Sequence, residues 1–219
     1  MELIEPYAKM IDVQDREAGV ALLRKIEWCG RISHRSEDTQ TETSWERFIQ
    51  SVVIGHGDWS IVEHASVTVD AVIDRGITHE WVRHRIGAYT QESTRFVNYE
   101  KKMPPKFILP DFGENRGTYE AFMNVLLTCE INYKQLLAYG VAPQLARSVF
   151  PNALASRLVT TYNLRNWRHF FLMRTTREAH PQMRQVTIPL LGNFQEFIPI
   201  LFDDIVPNAK QSDNLKKMR

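Results

Sequence analysis

The sequence predicts an α+β fold, with a mixed or antiparallel sheet packed against helices in a single domain over 1–219. Three observations predict it. The chain has 219 residues, enough to enclose one large core. Apolar residues recur at helical spacing in some stretches and alternate strictly in others, with no regular βαβ rhythm. No Gly-rich turn of the GxGxxG or GxxxxGK[ST] kind occurs, so neither a Rossmann nor a P-loop site is expected.

The elements follow in order. Residues 16–29 carry apolar positions at helical spacing, and Gly30 reads as the stop. Residues 31–44 are polar and read as a loop. Trp45 to Ile54 predicts a second helix. Residues 66–74 alternate, placing Val67, Val69, Ala71 and Ile73 on one face of a strand that Gly76 ends. ITHEWVRHR reads as a helix running into Arg83. Residues 100–117 hold Pro104, Pro105, Pro110, Gly113 and Gly117, and predict the longest irregular connection. A long helix is expected from about Thr118 to Tyr139, stopped by Gly140. Pro143 suits the first turn of a short helix carrying Arg147, which Pro151 limits. Residues 154–162 suit a strand. Asn163 is a good cap for the helix LRNWRHFFLMR, and Pro181 reads as an interruption. The run 186–206 is expected to be helical in part, with a frayed, flexible tail from about Asn208.

Composition narrows the function classes. The 27 basic and 26 acidic residues leave a formal net charge of +1, so bulk attraction to nucleic acid or membrane is not expected and any positive field must be local. Cys29 and Cys129 form no CxxC or His/Cys cluster, which argues against a disulfide framework or a structural metal. The first ten residues lack the basic-then-apolar pattern of a signal peptide, and no run is long enough to span a bilayer. A reducing cytoplasm is the expected location.

Chemistry concentrates between Arg83 and Arg95. Arg83, His84 and Arg85 are consecutive, and Tyr89, Thr90, Gln91, Ser93 and Thr94 follow before Arg95. Arginine suits bidentate recognition of phosphate, and hydroxyls with backbone N–H groups complete such cradles. The plainer reading is a solvated helix end and a polar loop. A longer pattern favours the anion site. Arg-His-Arg, seven residues, then Ser, standing here as RHRIGAYTQES, resembles the signature of the flavin-dependent thymidylate synthases. Three further blocks occur in the family's order. These are GHGDWSIVEH from Gly55, ARSVFP from Ala146, and TYNLRNWRHFFLMR from Thr161 to Arg174. The resemblance covers about 30–185.

The resemblance implies methylation of deoxyuridine monophosphate (dUMP) to dTMP. It implies 5,10-methylenetetrahydrofolate as carbon donor, FAD as cofactor with NADPH as its reductant, and a homotetramer whose sites draw on several subunits. Arg174 would be catalytic, stabilising charge that develops on the pyrimidine. Ser60, Arg83, His84, Arg85, Gln91, Asn163, Arg165 and His169 would meet FAD. Glu80, Arg83, Gln91, Ser93, Thr94, Arg95, Arg147 and Arg174 would hold the nucleotide. No metal is implied.

Alternatives stand beside these roles. Asn163 could be only a helix cap, Arg147 could pair with a surface carboxylate, and His56 and His64 could be structural. Ser93 lacks a nucleophile elbow and reads as a phosphate-binding hydroxyl. His169 lies five residues before Arg174, about 140° around a helix, so the two could serve different ligands or subunits. Glu80 stands for a common Gln, Thr94 for a Gly and Glu178 for a His. Neither cysteine sits in the Pro-Cys-His setting of the cysteine-dependent synthases. A flavoprotein with another substrate and a non-catalytic nucleotide- or RNA-binding module are the other classes.

Overall fold

A computed structural model describes residues 1–101, 103–113 and 115–217, with the backbone alone at 214 and 215. In chain order the elements are β1 (Glu2–Ile4), β2 (Tyr7–Met10), α1 (Arg16–Arg31), α2 (Ser44–Phe48), β3 (Ser66–Asp74), α3 (Arg75–Trp81), β4 (Ala88–Gln91) and β5 (Lys106–Ile108). They continue with α4 (Arg116–Ala138), α5 (Pro143–Ala146), β6 (Ala155–Asn163), α6 (Leu164–Arg174), α7 (Pro181–Phe197) and α8 (Gln211–Lys216). Four strands form one sheet in the order β2-β3-β6-β4, which is antiparallel. A two-stranded parallel sheet pairs β1 with β5 through Leu3 and Phe107. The α+β class is therefore as the alternation predicted.

The chain gathers into two compact units, and their boundaries fall inside β2, β3, β4 and β6. One unit comprises Met1–Tyr7, Ala71–Arg83 and Thr90–Leu158; the other comprises Ala8–Asp70, His84–Tyr89 and Val159–Arg219. The core of the first is Tyr99, Phe107, Leu126, Tyr133, Ala146 and Leu154, closed by Phe150 stacked on Tyr133 at 4.5 Å between ring centroids. In the second, Phe194 lies 4.9 Å from Phe171, 5.1 Å from Phe202 and 5.3 Å from Trp167. Each such buried aromatic contributes roughly 1.5–3 kcal/mol through removal from water.

Helix starts are chemically marked. Asp15, Asp74, Asn115 and Asn163 accept the N–H three residues on, at 2.8–3.2 Å, and so begin α1, α3, α4 and α6. Each satisfies a donor that the first helical turn leaves open. Helix α4 ends at Ala138, two residues before Gly140, as expected.

Three expectations are corrected. Gly30 does not stop α1 but lies buried within it, because a Cβ there would meet the Phe48 ring at 2.5 Å. Gly76 does not end β3; Asp74 does, by capping, and Gly76 sits inside α3. Pro181 does not interrupt a helix but opens α7 at the first helical position, where the missing N–H costs nothing. In the tail from Asn208, expected to be frayed and flexible, contacts begin at Asn208 itself. Its N–H donates to the Thr175 carbonyl at 2.8 Å, its side chain accepts from Arg184 at 3.0 Å, and α8 follows. Two departures concern detail. The predicted second helix becomes a π-helix over Ile49–Gly55, and the polar loop after α1 contains two 3₁₀ turns. Among the described residues, no helix is long and apolar enough to cross a membrane.

Candidate functional site

The predicted site residues divide between the two units. In the second unit they converge on His84. Helix α6 is anchored by the Leu164 N–H on the Ala65 carbonyl and by the Trp167 indole N–H on the Val67 carbonyl, both at 2.9 Å. At its far end Arg174 donates its Nε–H to Nε2 of His84 at 2.8 Å, and its own carbonyl accepts from the Thr187 hydroxyl at 2.9 Å. The His84 ring also lies 5.5 Å from the His169 ring and 4.9 Å from that of Phe170. His169 and Arg174 are thus brought to one imidazole, despite their angular separation along α6.

Protonation follows from this packing. Burial, then the Arg174 guanidinium and His169, push the His84 pKa down to about 3. Burial, then Arg174, lower that of His169. Both rings are neutral at pH 7. Because Nε2 of His84 accepts from an arginine, its proton is assigned to Nδ1.

The turn after His84 is held from three sides. Ile86 adopts φ +65°, in the left-handed region that a β-branched residue avoids. Its carbonyl accepts from the Asn166 side chain at 2.7 Å. Gly87 lies so close to Tyr162 that a Cβ would fall 2.3 Å from two ring carbons. The Tyr162 hydroxyl meets that of Tyr89 at 2.6 Å, and Tyr89 donates onward to the His84 carbonyl. Burial, then Tyr89, raise the Tyr162 pKa, so the chain remains protonated.

A cleft of about 270 Å³ opens beside this cluster, lined by Trp59, Arg165, Asn166, Arg168, His169 and Lys217, among others. Ligand pockets for whole drug-sized molecules run to about 300–1,000 Å³, so this cleft is at the lower edge of that range. Arg165 reaches Glu63 at 2.5 Å, and both are about half exposed. Arg168 is buried, pairs bidentately with Asp204 at 2.6 and 2.7 Å, and lies 4.6 Å over the Trp59 ring. Asn163 caps α6, as its plainer reading had it. Ser60 and Arg85 are exposed. Glu178 accepts the Gln211 N–H at 3.0 Å and so fastens the start of α8. His56 lines a second cleft with Trp59, Arg168 and Asp204, and both His56 and His64 are exposed.

The first unit holds the other set. Thr94 is 3% exposed and accepts from Arg147 Nη1 at 2.5 Å. The Ser93 hydroxyl accepts the Arg95 N–H at 3.3 Å, and the Ser93 carbonyl accepts from Phe96 and Val97. Gln91 lies at the end of β4, and its amide donates to Thr78 and Ser156 at 3.0 Å each. The Glu80 carbonyl accepts the Arg83 N–H at 3.3 Å; Arg83 and Arg95 are exposed. Thr94 and Arg147 line a polar cleft of about 180 Å³ together with Arg75, Ser148 and Asn152.

Sequence reasoning named Tyr89 only as one polar group of the Arg83–Arg95 stretch, and missed Tyr162, Asn166 and Arg75 as site-forming residues. Only the pairing of β4 with β6 brings the tyrosines together, and no local pattern announces it. Among the described residues no group of three His, Cys, Asp or Glu side chains is placed to hold a metal.

Comparisons with known proteins identify the family and the fold. A family model described as thymidylate synthase complementing protein matches residues 21–200. A flavin-dependent thymidylate synthase of Corynebacterium aurimucosum is 35% identical over 196 residues, covering 82% of this chain and 78% of the relative. One from Pyrococcus furiosus is 34% identical, covering 86% and 78%. Among solved structures, the UMP/dUMP methylase PolB of Streptomyces cacaoi, bound with 5-Br dUMP, superposes with a TM-score of 0.74 at 21% identity. That alignment covers 93% of this chain and 96% of the other. At that identity the likeness concerns the fold.

Proposed function

The chain belongs to the flavin-dependent thymidylate synthase family, and from that premise we propose that it methylates dUMP to dTMP. In this reading 5,10-methylenetetrahydrofolate supplies the carbon, NADPH the reducing equivalents, and FAD is the cofactor. The observation that carries it is the Arg174–His84 bond inside a matched family segment.

The residues suit the groups they would hold. The cleft beside His84 offers an aromatic face at Trp59, a neutral imidazole at His169 and cations at Arg165 and Lys217. Those features fit a planar, anionic flavin nucleotide. FAD bound there would supply the hydride chemistry. His84, Arg85, Asn163, Arg165, His169 and Ser60 are the proposed flavin residues. Arg83, Gln91, Ser93, Thr94, Arg95 and Arg147 are the proposed nucleotide residues, with Glu80 at the edge of that set.

Arg174 has the central role in this proposal. A guanidinium stays protonated at all working pH values. Tied at Nε, it is preorganised for negative charge that develops on a pyrimidine as C5 becomes nucleophilic. Losing one such donor typically costs about 3 kcal/mol of barrier. His84 accepts rather than donates, so it steers the guanidinium without competing for the anion. We take residues 1–219 as one functional domain, acting as a homotetramer in the cytoplasm.

The test is direct. Purified protein should carry or take up FAD, and should release tritium from [5-³H]dUMP only with methylenetetrahydrofolate and NADPH present. A protein that binds no flavin, or that oxidises NADPH indifferently to dUMP, refutes the reading.

A further inference from the structure

Arg75 lies outside every motif that identified the chain, yet it shares the 180 Å³ cleft with Thr94 and Arg147. We propose that Arg75 is a second guanidinium of the nucleotide-phosphate cradle and sets the preference for phosphorylated over unphosphorylated pyrimidine nucleosides. The inference rests on the reading above, in which Thr94 and Arg147 hold the nucleotide.

Three observations carry it. First, the cleft is the size of a group rather than of a whole ligand, since complete sites measure about 300–1,000 Å³. Second, its lining holds two arginines, two hydroxyls and an amide, and no acidic residue. Among the described residues neither Arg75 nor Arg147 has an ion-pair partner. Two permanent cations sharing a small concavity repel each other unless an anion lies between them. Phosphate is the anion whose geometry matches two guanidinium forks and hydroxyl donors.

Third, Arg75 is fixed at its backbone. Its N–H donates to the carbonyls of Asn152 and Leu154 at 2.9 and 3.0 Å. The strand-to-helix corner is thereby fastened to the turn that lines the same cleft. Asp74 caps the helix from the preceding position. Arg147 is fixed on the other side by Thr94. Both cations are thus presented from backbone that is already ordered, which lowers the entropic cost of closing on the ligand.

The experiment titrates FAD-loaded full-length protein with dUMP and with deoxyuridine, comparing wild type, Arg75→Ala, Arg75→Lys and Arg147→Ala. Removing a charge-assisted contact to phosphate should raise the Kd for dUMP roughly 10–100-fold in Arg75→Ala. Arg75→Lys should fall between it and wild type, because a point charge replaces a fork. Deoxyuridine binding should not change. If Arg147→Ala weakens dUMP and Arg75→Ala does not, Arg75 is not in the cradle and the inference fails alone. If neither variant weakens dUMP, the phosphate does not occupy this cleft, and the placement of the nucleotide fails with it. An equal loss for dUMP and deoxyuridine in Arg75→Ala would mean a structural effect and overturn the proposal.

Discussion

Arg174 and His84 stand 90 positions apart in the chain, yet share a 2.8 Å hydrogen bond in which the imidazole is the acceptor. The bond exists only while His84 is neutral. The same contact that aims the arginine therefore makes the site sensitive to acid, and the environment that keeps His84 neutral becomes a measurable contribution to stability.

The pH dependence has a definite sign. An unfolded chain binds a proton at His84 near pH 6.5, whereas the folded chain resists it down to about 3. Between those values the unfolded state holds more protons, so stability falls as pH falls. The contribution is complete above 6.5 and is lost toward 3, at no more than about 1.4 kcal/mol per pH unit and less with partial solvent screening. His84→Gln retains an acceptor but does not titrate. Melting temperatures measured from pH 7.5 to 4.5 should fall more steeply for wild type than for His84→Gln, and parallel curves would exclude the account.

The Ile86 turn predicts an unusual substitution. A left-handed β-branched residue costs roughly 1–2 kcal/mol, while glycine there loses about 0.5–1 kcal/mol of unfolded-state entropy. Ile86 is 83% exposed, so its side chain buries little. Ile86→Gly should therefore leave stability unchanged or raise it by up to about 1 kcal/mol. Asn166→Ala removes the 2.7 Å clamp and should cost about 1 kcal/mol. Urea denaturation of both single variants and the double variant measures this. A loss of stability in Ile86→Gly would show that the turn is not strained.

Gly87→Ala tests the opposite face of that turn. The new methyl would sit 2.3 Å from the Tyr162 ring, and forcing atoms into packed space costs roughly 1–3 kcal/mol. The shift would displace Tyr89 and so the His84 carbonyl. Thermal melting should drop and flavin affinity should weaken together. A variant that melts and binds like wild type would place Tyr162 elsewhere.

Legibility in the sequence followed the range of the interactions. Strand β3 and helix α6 were readable because alternation and an Asn cap are local signals, and both appear at the expected positions. Motif resemblance joined Thr94 to Arg147, which touch across 53 residues. Strand β4 was not readable: four residues inside a polar motif carry too little alternation, and β6 supplies its partner. Strands β1 and β5 span three residues each and exist through mutual pairing. Gly30 was misread because a glycine near a helix end looks like a stop until Phe48 is seen against it. Arg75, Asn166 and Tyr162 gain their places from contacts that no window along the chain contains.

Two arginines three residues apart on α6 line one cleft, and they should behave oppositely. Arg165 pairs with Glu63, and their side chains are 51% and 45% exposed. Such pairs contribute about 0–1 kcal/mol, so Arg165→Ala should barely change stability. If Arg165 contacts the cofactor, the loss should appear in FAD affinity. Arg168 is 7% exposed at its side chain, holds Asp204 by two bonds, donates to the Leu201 carbonyl at 2.7 Å and covers Trp59. Its removal strands a buried carbonyl and a carboxylate. Breaking a fully buried pair costs about 3–5 kcal/mol, and the half-exposed Asp204 reduces this to roughly 2–3 kcal/mol. Urea denaturation of the apoprotein and titration followed by flavin fluorescence separate the two effects. If Arg165→Ala loses as much stability as Arg168→Ala, or leaves FAD affinity untouched, then Arg165 belongs to the scaffold and not to the flavin site.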